Sequence, residues 1–365
     1  MKKLNVLISA GGTGGHLIPA QQLAKKLISD RKSRVVFMAK GLFLNQNFRK
    51  ENYKFIDISS GPLTKKKFVF SAFSILKGTI QSIFYLFKNK IDVVAGFGSY
   101  HTFPVLLAAY LLKIPIVVFE SNCLLGKVNR FFAKKAKIVA TQFKIKNREK
   151  YKNIKLVPLL PWIEQENKID KDQARVKLNL KKELFTILVF GGSQGASFIN
   201  EVFVNAVLDI NKIQEFQVIH ICGNEEKKRK LEKLYNINGI TSYVSIYEKD
   251  MIPIYCAADL AVCRSGAVTI AELIFFEIPA YLIPYPHSSE KHQEINGFFL
   301  SDNIRGGVVY LQKDFNQQKF TRDLFQSITQ NSKKQMEMKA NLCDFKSLVN
   351  NENRQSLNKV IYEAT

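Results

Sequence analysis

Gly11-Gly12-Thr13-Gly14-Gly15-His16 and Gly191-Gly192-Ser193-Gln194-Gly195 occupy matching places in the two halves of this 365-residue chain. Each follows a short apolar run, Leu4 to Ser9 and Leu184 to Phe190, that reads as a buried parallel strand. What comes next, Leu17 to Ile28 and Phe198 to Leu208, has helical periodicity, so each half opens as strand, glycine turn, helix. A helix N-terminus offers N–H groups and the positive end of a dipole, and glycine lets the backbone approach closely. Each turn is therefore a potential phosphate cradle. Two cradles predict two phosphorylated partners.

Outward from the first turn, apolar runs recur at Arg34 to Met38, Asp92 to Ala95, Pro115 to Phe119 and Lys137 to Ala140, with helical stretches between most of them. The pattern restarts at Leu184 to Phe190 and continues through Phe216 to Ile221, Asp259 to Cys263, Pro279 to Ile283 and Val308 to Leu311. Such alternation predicts an α/β protein with two doubly wound parallel sheets covered by helices. The paired prolines of Val157-Pro158-Leu159-Leu160-Pro161-Trp162 predict an extended linker, which divides the chain into 1–157 and 158–344. A last helix at about 345–365 is expected to pack back on the first domain. Ligands of open α/β sheets bind beyond the carboxyl ends of the strands, so the expectation is two Rossmann-like domains facing a cleft lined by both turns.

Lys and Arg total 54 against 31 Asp and Glu, a net charge of +23 that favours an anionic partner. Nucleic acid, an acidic membrane surface and phosphorylated substrates all qualify. The lysines are dispersed and no nucleic-acid module appears, which makes a basic nucleic-acid-binding protein the weaker alternative. Five scattered cysteines without a C-x-x-C pair predict reduced thiols, and Met1-Lys2-Lys3-Leu4 running straight into a strand predicts no targeting peptide. From Phe68 to Phe87 large apolar residues dominate behind Lys65-Lys66-Lys67, with Phe73, Leu76, Ile80, Ile83, Phe84 and Phe87 at helical spacing. Lys77, Gly78, Thr79, Gln81 and Ser82 interrupt it, so the expectation is a helix lying on an anionic membrane surface rather than a span. The competing expectation is an ordinary sheet-covering helix.

The first turn is not the dinucleotide G-x-G-x-x-G, since from Gly12 the series runs Gly12, Gly14, Leu17. Hydride-transfer chemistry is thereby disfavoured. His16, at the helix entrance, is suited to accept a proton near neutral pH. Gly96-Phe97-Gly98-Ser99-Tyr100 and Glu120-Ser121-Asn122 also follow strands and belong at the same sheet edge. In the second half, Cys263-Arg264-Ser265-Gly266-Ala267-Val268-Thr269-Ile270-Ala271-Glu272 leads from strand to helix. There Arg264 could offset phosphate charge and Glu272 could accept hydrogen bonds from two ribose hydroxyls.

Taken together, these motifs and His292-Gln293-Glu294-Ile295-Asn296 resemble, in order and spacing, the MurG family of glycosyltransferases. The resemblance covers nearly the whole chain. It implies the GT-B fold and inverting transfer of N-acetylglucosamine from UDP-N-acetylglucosamine to the muramyl sugar of lipid I, giving lipid II for peptidoglycan. The second domain would hold the sugar nucleotide and the first the lipid acceptor. His16 would be the catalytic base, and Thr13, Gly14, Gly15, Asn122, Ser193, Arg264, Ala267 to Glu272 and Gln293 would contact the donor. Gly98, Ser99 and Tyr100 would hold the acceptor diphosphate. No cofactor, metal or nucleic acid is implied, and the enzyme is expected on the cytoplasmic face of the inner membrane as a peripheral protein. A related transferase acting on diacylglycerol is the alternative within enzymes.

Three departures from the family pattern stand out. Pro158-Leu159-Leu160-Pro161-Trp162 replaces a linker motif that carries an arginine, and Phe119-Glu120-Ser121-Asn122 replaces His-Glu-Gln-Asn. Tyr247 and Glu248 fall where an isoleucine is expected near the uracil. Asp170-Lys171-Asp172 superficially matches a metal-binding D-x-D, but its place before Gln173-Ala174-Arg175-Val176 predicts a helix cap.

Overall fold

The structure, a computed structural model, describes residues 3–62, 68–145, 148–161, 169–192, 196–329 and 332–365. Ser193, Gln194 and Gly195, Trp162, Lys65 to Lys67 and the Phe68 side chain lie outside that description. The chain divides into two units, one of residues 1–162 with 352–365, the other of residues 163–351.

The first unit runs β1 (Leu4–Ser9), α1 (Gly14–Ser29), β2 (Ser33–Ala39), β3 (Phe55–Asp57), α2 (Phe68–Lys88), β4 (Val93–Gly96), α3 (Phe103–Leu111), β5 (Ile116–Glu120), α4 (Lys127–Ala133), β6 (Ile138–Thr141) and β7 (Ile154–Leu156). Its seven strands are all parallel, in the order β3-β2-β1-β4-β5-β6-β7. Val6 of β1 lies opposite Val35 of β2 on one side and Val93 of β4 on the other. β4 and β5 are buried at every position, which is why they read as unbroken apolar runs.

The second unit repeats the plan with α5 (Lys171–Lys177), β8 (Thr186–Phe190), α6 (Ser197–Ile210), β9 (Gln217–Ile221), α7 (Glu225–Ile237), β10 (Thr241–Ser245), α8 (Ile252–Ala257), β11 (Leu260–Cys263), α9 (Ala267–Phe276), β12 (Ala280–Leu282), α10 (His292–Phe298), β13 (Gly307–Val309), α11 (Gln317–Ile328) and α12 (Lys333–Asn351). The order is β10-β9-β8-β11-β12-β13, again parallel throughout. In each sheet the strand order reverses at one place, between β1 and β4 and between β8 and β11. Connections leave in opposite directions there and open a crevice at the carboxyl ends of the strands. Both glycine turns follow a strand of such a pair.

α12 stays with the second unit as far as Asn351, and α13 (Leu357–Glu363) belongs to the first. Asn358 Nδ2 and Tyr362 Oη donate to Asp30 Oδ2 at 2.8 and 3.0 Å, and Arg354 Nη1 donates to the carbonyls of Gln142 and Val157 at 2.7 and 3.1 Å.

α2 is inside out. Its buried stripe is mostly small or polar, with Ser71, Thr79 and Ser82 beside Ile75 and Leu86, while Val69, Phe70, Phe73, Leu76, Ile80, Phe84 and Phe87 are exposed. Gly78 explains the tight seat, because a Cβ there would lie 1.8 Å from the Ser59 carbonyl oxygen. By length and apolarity the stretch Val69–Lys88 could cross a membrane, but one stripe of it is packed on the first unit along its length. A sheet-covering helix ordinarily turns its apolar face inward. This one does the reverse.

Candidate functional site

In the first unit the crevice lies where β1 and β4 end. β1 runs into Gly11 and Gly12, and α1 begins behind Thr13, whose extended backbone (φ −89°, ψ 166°) makes it the N-cap. A Cβ on Gly11 would stand 2.7 Å from His101 Cβ, and Gly12 has φ +88°, so this turn admits glycine for two separate reasons. Asn45 Nδ2 donates to the Gly12 carbonyl at 2.6 Å and holds the turn from the far side. His16 is half-buried in the first turn of α1, and Thr13 Oγ1 lies 3.4 Å from its Nδ1. That contact orients the imidazole.

β4 ends in the second part of the same crevice, Gly96 to Tyr100. Gly98 and Ser99 both take left-handed φ, 85° and 71°. Ser99 Oγ meets His101 Nδ1 at 2.7 Å, and the rings of Tyr100 and His101 stack with centroids 3.9 Å apart. Burial first, then the charges of His16 and Lys40, hold His101 down to about 4, so it is neutral at physiological pH. The sequence reading stopped at Tyr100 and missed His101, although it is one of only five histidines and adjoins a glycine turn.

Glu120, in place of open chemistry, organises its own loop. Its Oε1 accepts from Asn122 N and Nδ2 at 3.0 and 2.8 Å, and its Oε2 from Gly126 N and Asn129 Nδ2 at 2.9 and 3.0 Å. Asn122 is thus anchored through Glu120, and Asn129 also reaches the Gly98 turn, where a Cβ would stand 3.2 Å from its Nδ2. The loop after β5 is tied to the turn after β4.

In the second unit β8 runs into Gly191 and Gly192, the latter with φ +87°, and α6 begins at Ser197. Ser193 lies outside the described residues. At the neighbouring strand, β11 passes through Arg264, Ser265 and Gly266 into α9, with Gly266 as N-cap. Ser265 is fully buried and its Oγ donates to the Gln293 carbonyl at 2.7 Å, while Asn296 Nδ2 donates to the Ser265 carbonyl at 3.2 Å. These bonds fasten the start of α10 to the Gly266 turn, bringing Gln293 beside the Ala267 to Glu272 stretch. Within that stretch the side chains of Ile270 and Ala271 are fully buried and that of Ala267 nearly so. Accessible surface here therefore comes from Val268, Thr269 and Glu272.

Arg264 is built into the scaffold. Its Nη1 donates to the carbonyls of Ile283 and Pro284 at 2.9 and 3.1 Å and to Gln312 Oε1 at 3.2 Å, with the guanidinium 5.6 Å from the Tyr285 ring centroid. It is a fixed positive charge between the ends of β11 and β12. Glu272 is half-buried and accepts from Tyr255 Oη at 2.7 Å. Burial pushes its carboxyl up to about 7, against the opposing pull of the Tyr255 hydrogen bond. Beyond β10, Tyr243 Oη donates to Glu248 Oε1 at 2.7 Å, and Tyr247 is exposed. Asp170 caps α5, its carboxylate accepting from Asp172 N at 3.0 Å, as expected of a cap.

Comparisons with known proteins agree with this geometry. Residues 6–141 match the glycosyltransferase family 28 N-terminal domain and residues 186–353 its C-terminal domain. A protein of Protochlamydia amoebophila named UDP-N-acetylglucosamine–N-acetylmuramyl-(pentapeptide) pyrophosphoryl-undecaprenol N-acetylglucosamine transferase is 40% identical over 313 residues, 84% of this chain and 83% of its own. One of the same name from Wolbachia pipientis of Culex pipiens is 33% identical over 93% of this chain and 94% of its own. Among solved structures, Acinetobacter baumannii MurG superposes with a TM-score of 0.75 at 24% identity, covering 99% of both chains. CalG4, the calicheamicin glycosyltransferase, gives 0.66 at 11% identity over 100% of this chain and 98% of its own, a likeness of GT-B fold alone. The chain belongs to glycosyltransferase family 28 and, within it, to the MurG family that its motifs resemble.

Proposed function

We propose that this protein transfers N-acetylglucosamine, with inversion, from UDP-N-acetylglucosamine to the muramyl sugar of lipid I, forming lipid II for peptidoglycan. The observation that carries the reading is the pair of crevices: each unit places its glycine turn at the one point where its strand order reverses. In the first unit, His16, oriented by Thr13, takes the proton of the attacking acceptor hydroxyl. Gly14, Gly15 and Asn122 support the donor from the same crevice, and Gly98, Ser99 and Tyr100 hold the acceptor diphosphate.

In the second unit, Glu272 accepts from the ribose hydroxyls, with Val268, Thr269 and Gln293 beside it. The N–H groups at the start of α9 and α6, with Ser193, stabilise charge growing on the departing diphosphate, a preorganised role that needs no reorientation during reaction. Arg264 adds a fixed positive charge. The exposed aromatic face of α2 holds the enzyme as a peripheral protein on the anionic cytoplasmic leaflet, where a lipid-linked acceptor is in reach. Labelled UDP-N-acetylglucosamine with a lipid I analogue tests the assignment. Lipid II is the expected product; a glycosylated diacylglycerol, or no transfer, would overturn it.

A further inference from the structure

The crevice of the first unit contains a polar pair, Ser99 and His101, of which the reaction as described uses only Ser99. Ser99 sits at φ 71° and ψ 151°, a region that glycine fills without strain and serine does not. Its Oγ meets His101 Nδ1 at 2.7 Å. The His101 imidazole is clamped between the Tyr100 ring, 3.9 Å away, and the first glycine turn, where a Cβ on Gly12 would lie 3.3 Å from both its Cε1 and its Nδ1. The same hypothetical Cβ would lie 3.4 Å from Ser99 Oγ. Both members of the pair therefore lie alongside the turn that leads to His16.

A glycine at position 99 would relieve the backbone, and an apolar side chain at 101 would fill the same space. The chain instead keeps a strained serine bonded to a half-buried histidine. Strain of this kind persists where the surroundings over-determine it, and it concentrates at sites that position ligands.

We propose that Ser99 and His101 brace the glycine turn after β4 against the turn after β1, making His101 a positioning residue for the acceptor diphosphate. A serine hydroxyl has one donor and two acceptor positions, so with Nδ1–H as donor to Oγ, Ser99 keeps its own O–H for a diphosphate oxygen. Imidazole suits this task because it stays neutral here and competes with no cationic contact. The inference rests on the acceptor reading given above for Gly98 to Tyr100.

The test measures KM for a lipid I analogue and for UDP-N-acetylglucosamine, with thermal unfolding, in four variants. His101→Phe keeps a ring against Tyr100 but removes Nδ1, His101→Asn keeps a polar atom near the same place, Ser99→Gly removes the hydroxyl and the strain, and the last combines Ser99→Gly with His101→Phe. We expect His101→Phe to raise acceptor KM roughly 3- to 10-fold, the range of one hydrogen bond, with donor KM and unfolding temperature unchanged. His101→Asn should recover most of the loss, and the double variant should be no worse than Ser99→Gly alone. An unchanged acceptor KM in folded His101→Phe, an equal rise in donor KM, or additive effects in the double variant would overturn the brace. If His101→Phe does not fold, a folded Ser99→Gly with the parent's acceptor KM overturns it equally. A parent that transfers nothing to lipid I overturns the acceptor reading and the brace with it, whereas an active parent leaves only the brace at stake.

Discussion

Tyr255→Phe should shift the pH dependence of donor binding without touching the donor. Tyr255 Oη donates to Glu272 Oε2 at 2.7 Å, and that bond opposes the burial that raises the Glu272 carboxyl to about 7. In the role proposed for Glu272 its carboxylate accepts from both ribose hydroxyls, and protonation turns one of its oxygens into a donor, so affinity for UDP-N-acetylglucosamine should rise with pH through about 7 and level off above it. A hydrogen bond to a charged group contributes ~1.5–3 kcal/mol, and one pKa unit corresponds to ~1.4 kcal/mol, so losing the hydroxyl should move the midpoint up by about one unit or more. With a midpoint near 8, about a tenth of the carboxyl is ionised at pH 7 instead of about half, and affinity there falls roughly fivefold. Above the new midpoint the variant should recover. Calorimetric titrations with UDP-N-acetylglucosamine across this range read the effect, since its esterified diphosphate holds constant charge. Stability should move in the opposite sense. A carboxyl raised above its unfolded value of 4.5 favours the folded state at low pH, and that contribution is lost as pH rises from there through about 7. A donor-binding midpoint that stays put in folded Tyr255→Phe, or that persists in Glu272→Gln, would refute the reasoning.

Further expectations follow from other parts of the chain. His16→Ala should lower turnover by roughly 10²–10⁴-fold with donor affinity little changed; near-parental turnover removes His16 from the mechanism. Replacing Phe73, Phe84 and Phe87 with Ser should weaken binding to anionic vesicles at least roughly tenfold at any salt concentration while sparing the fold, because these side chains are 68, 71 and 78% exposed. Vesicle binding as firm as the parent's would show that this face serves another purpose. Gly78→Ala, with its Cβ 1.8 Å from the Ser59 carbonyl oxygen, should cost about 1–3 kcal/mol and lower the unfolding temperature; an unchanged temperature would mean that α2 is not tightly seated. His220 is fully buried between Tyr235 Oη and Asn200 Oδ1, and burial lowers its pKa to about 3. Its contribution to stability is present above about 6.5 and lost as pH falls toward 3, so the parent's acid sensitivity in urea titrations should exceed that of His220→Gln.

The central strands were legible because burial on both faces leaves an unbroken apolar run, and the glycine turns because backbone geometry there demands glycine. β3, β7 and β10 were missed. All three are edge strands with half-buried or exposed residues at most positions, so neither an apolar run nor a clean alternation marks them. Site residues divide by the same logic. Candidates with a local signature, His16 behind its turn and Glu272 within its helix, could be proposed from sequence. His101 and Asn45 act on the Gly12 turn from other loops, and only the fold brings them there. Arg264 illustrates the converse: its residue type pointed to phosphate, but the carbonyls of Ile283 and Pro284, distant in sequence, hold its Nη1.

α2 shows what helical periodicity leaves open. A pattern with large apolar residues on one face and small or polar ones on the other states that the faces differ, not which of them is inward. Here Ser71, Ile75, the adjacent Gly78 and Thr79, Ser82 and Leu86 follow at steps of three or four residues as a stripe, and small side chains along a stripe permit close helix seating. The serines and threonine also remain compatible with burial, since Ser82 Oγ and Thr79 Oγ1 donate back to the carbonyls of Gly78 and Ile75 at 2.7 and 2.8 Å. With those two hydroxyls satisfied inside the helix and Ser71 Oγ donating to the Pro62 carbonyl at 2.8 Å, the small face can be covered by protein at little cost. The large apolar face is left uncovered among the described residues of the first unit, which is why it is the face proposed above to meet the membrane. Nearby Tyr110, Leu111 and Phe131 are exposed as well, and Lys135 Nζ lies 4.2 Å from the Phe131 ring centroid. Apolar side chains bordered by basic ones suit the boundary between acyl chains and anionic headgroups, which is the setting a lipid-linked acceptor imposes.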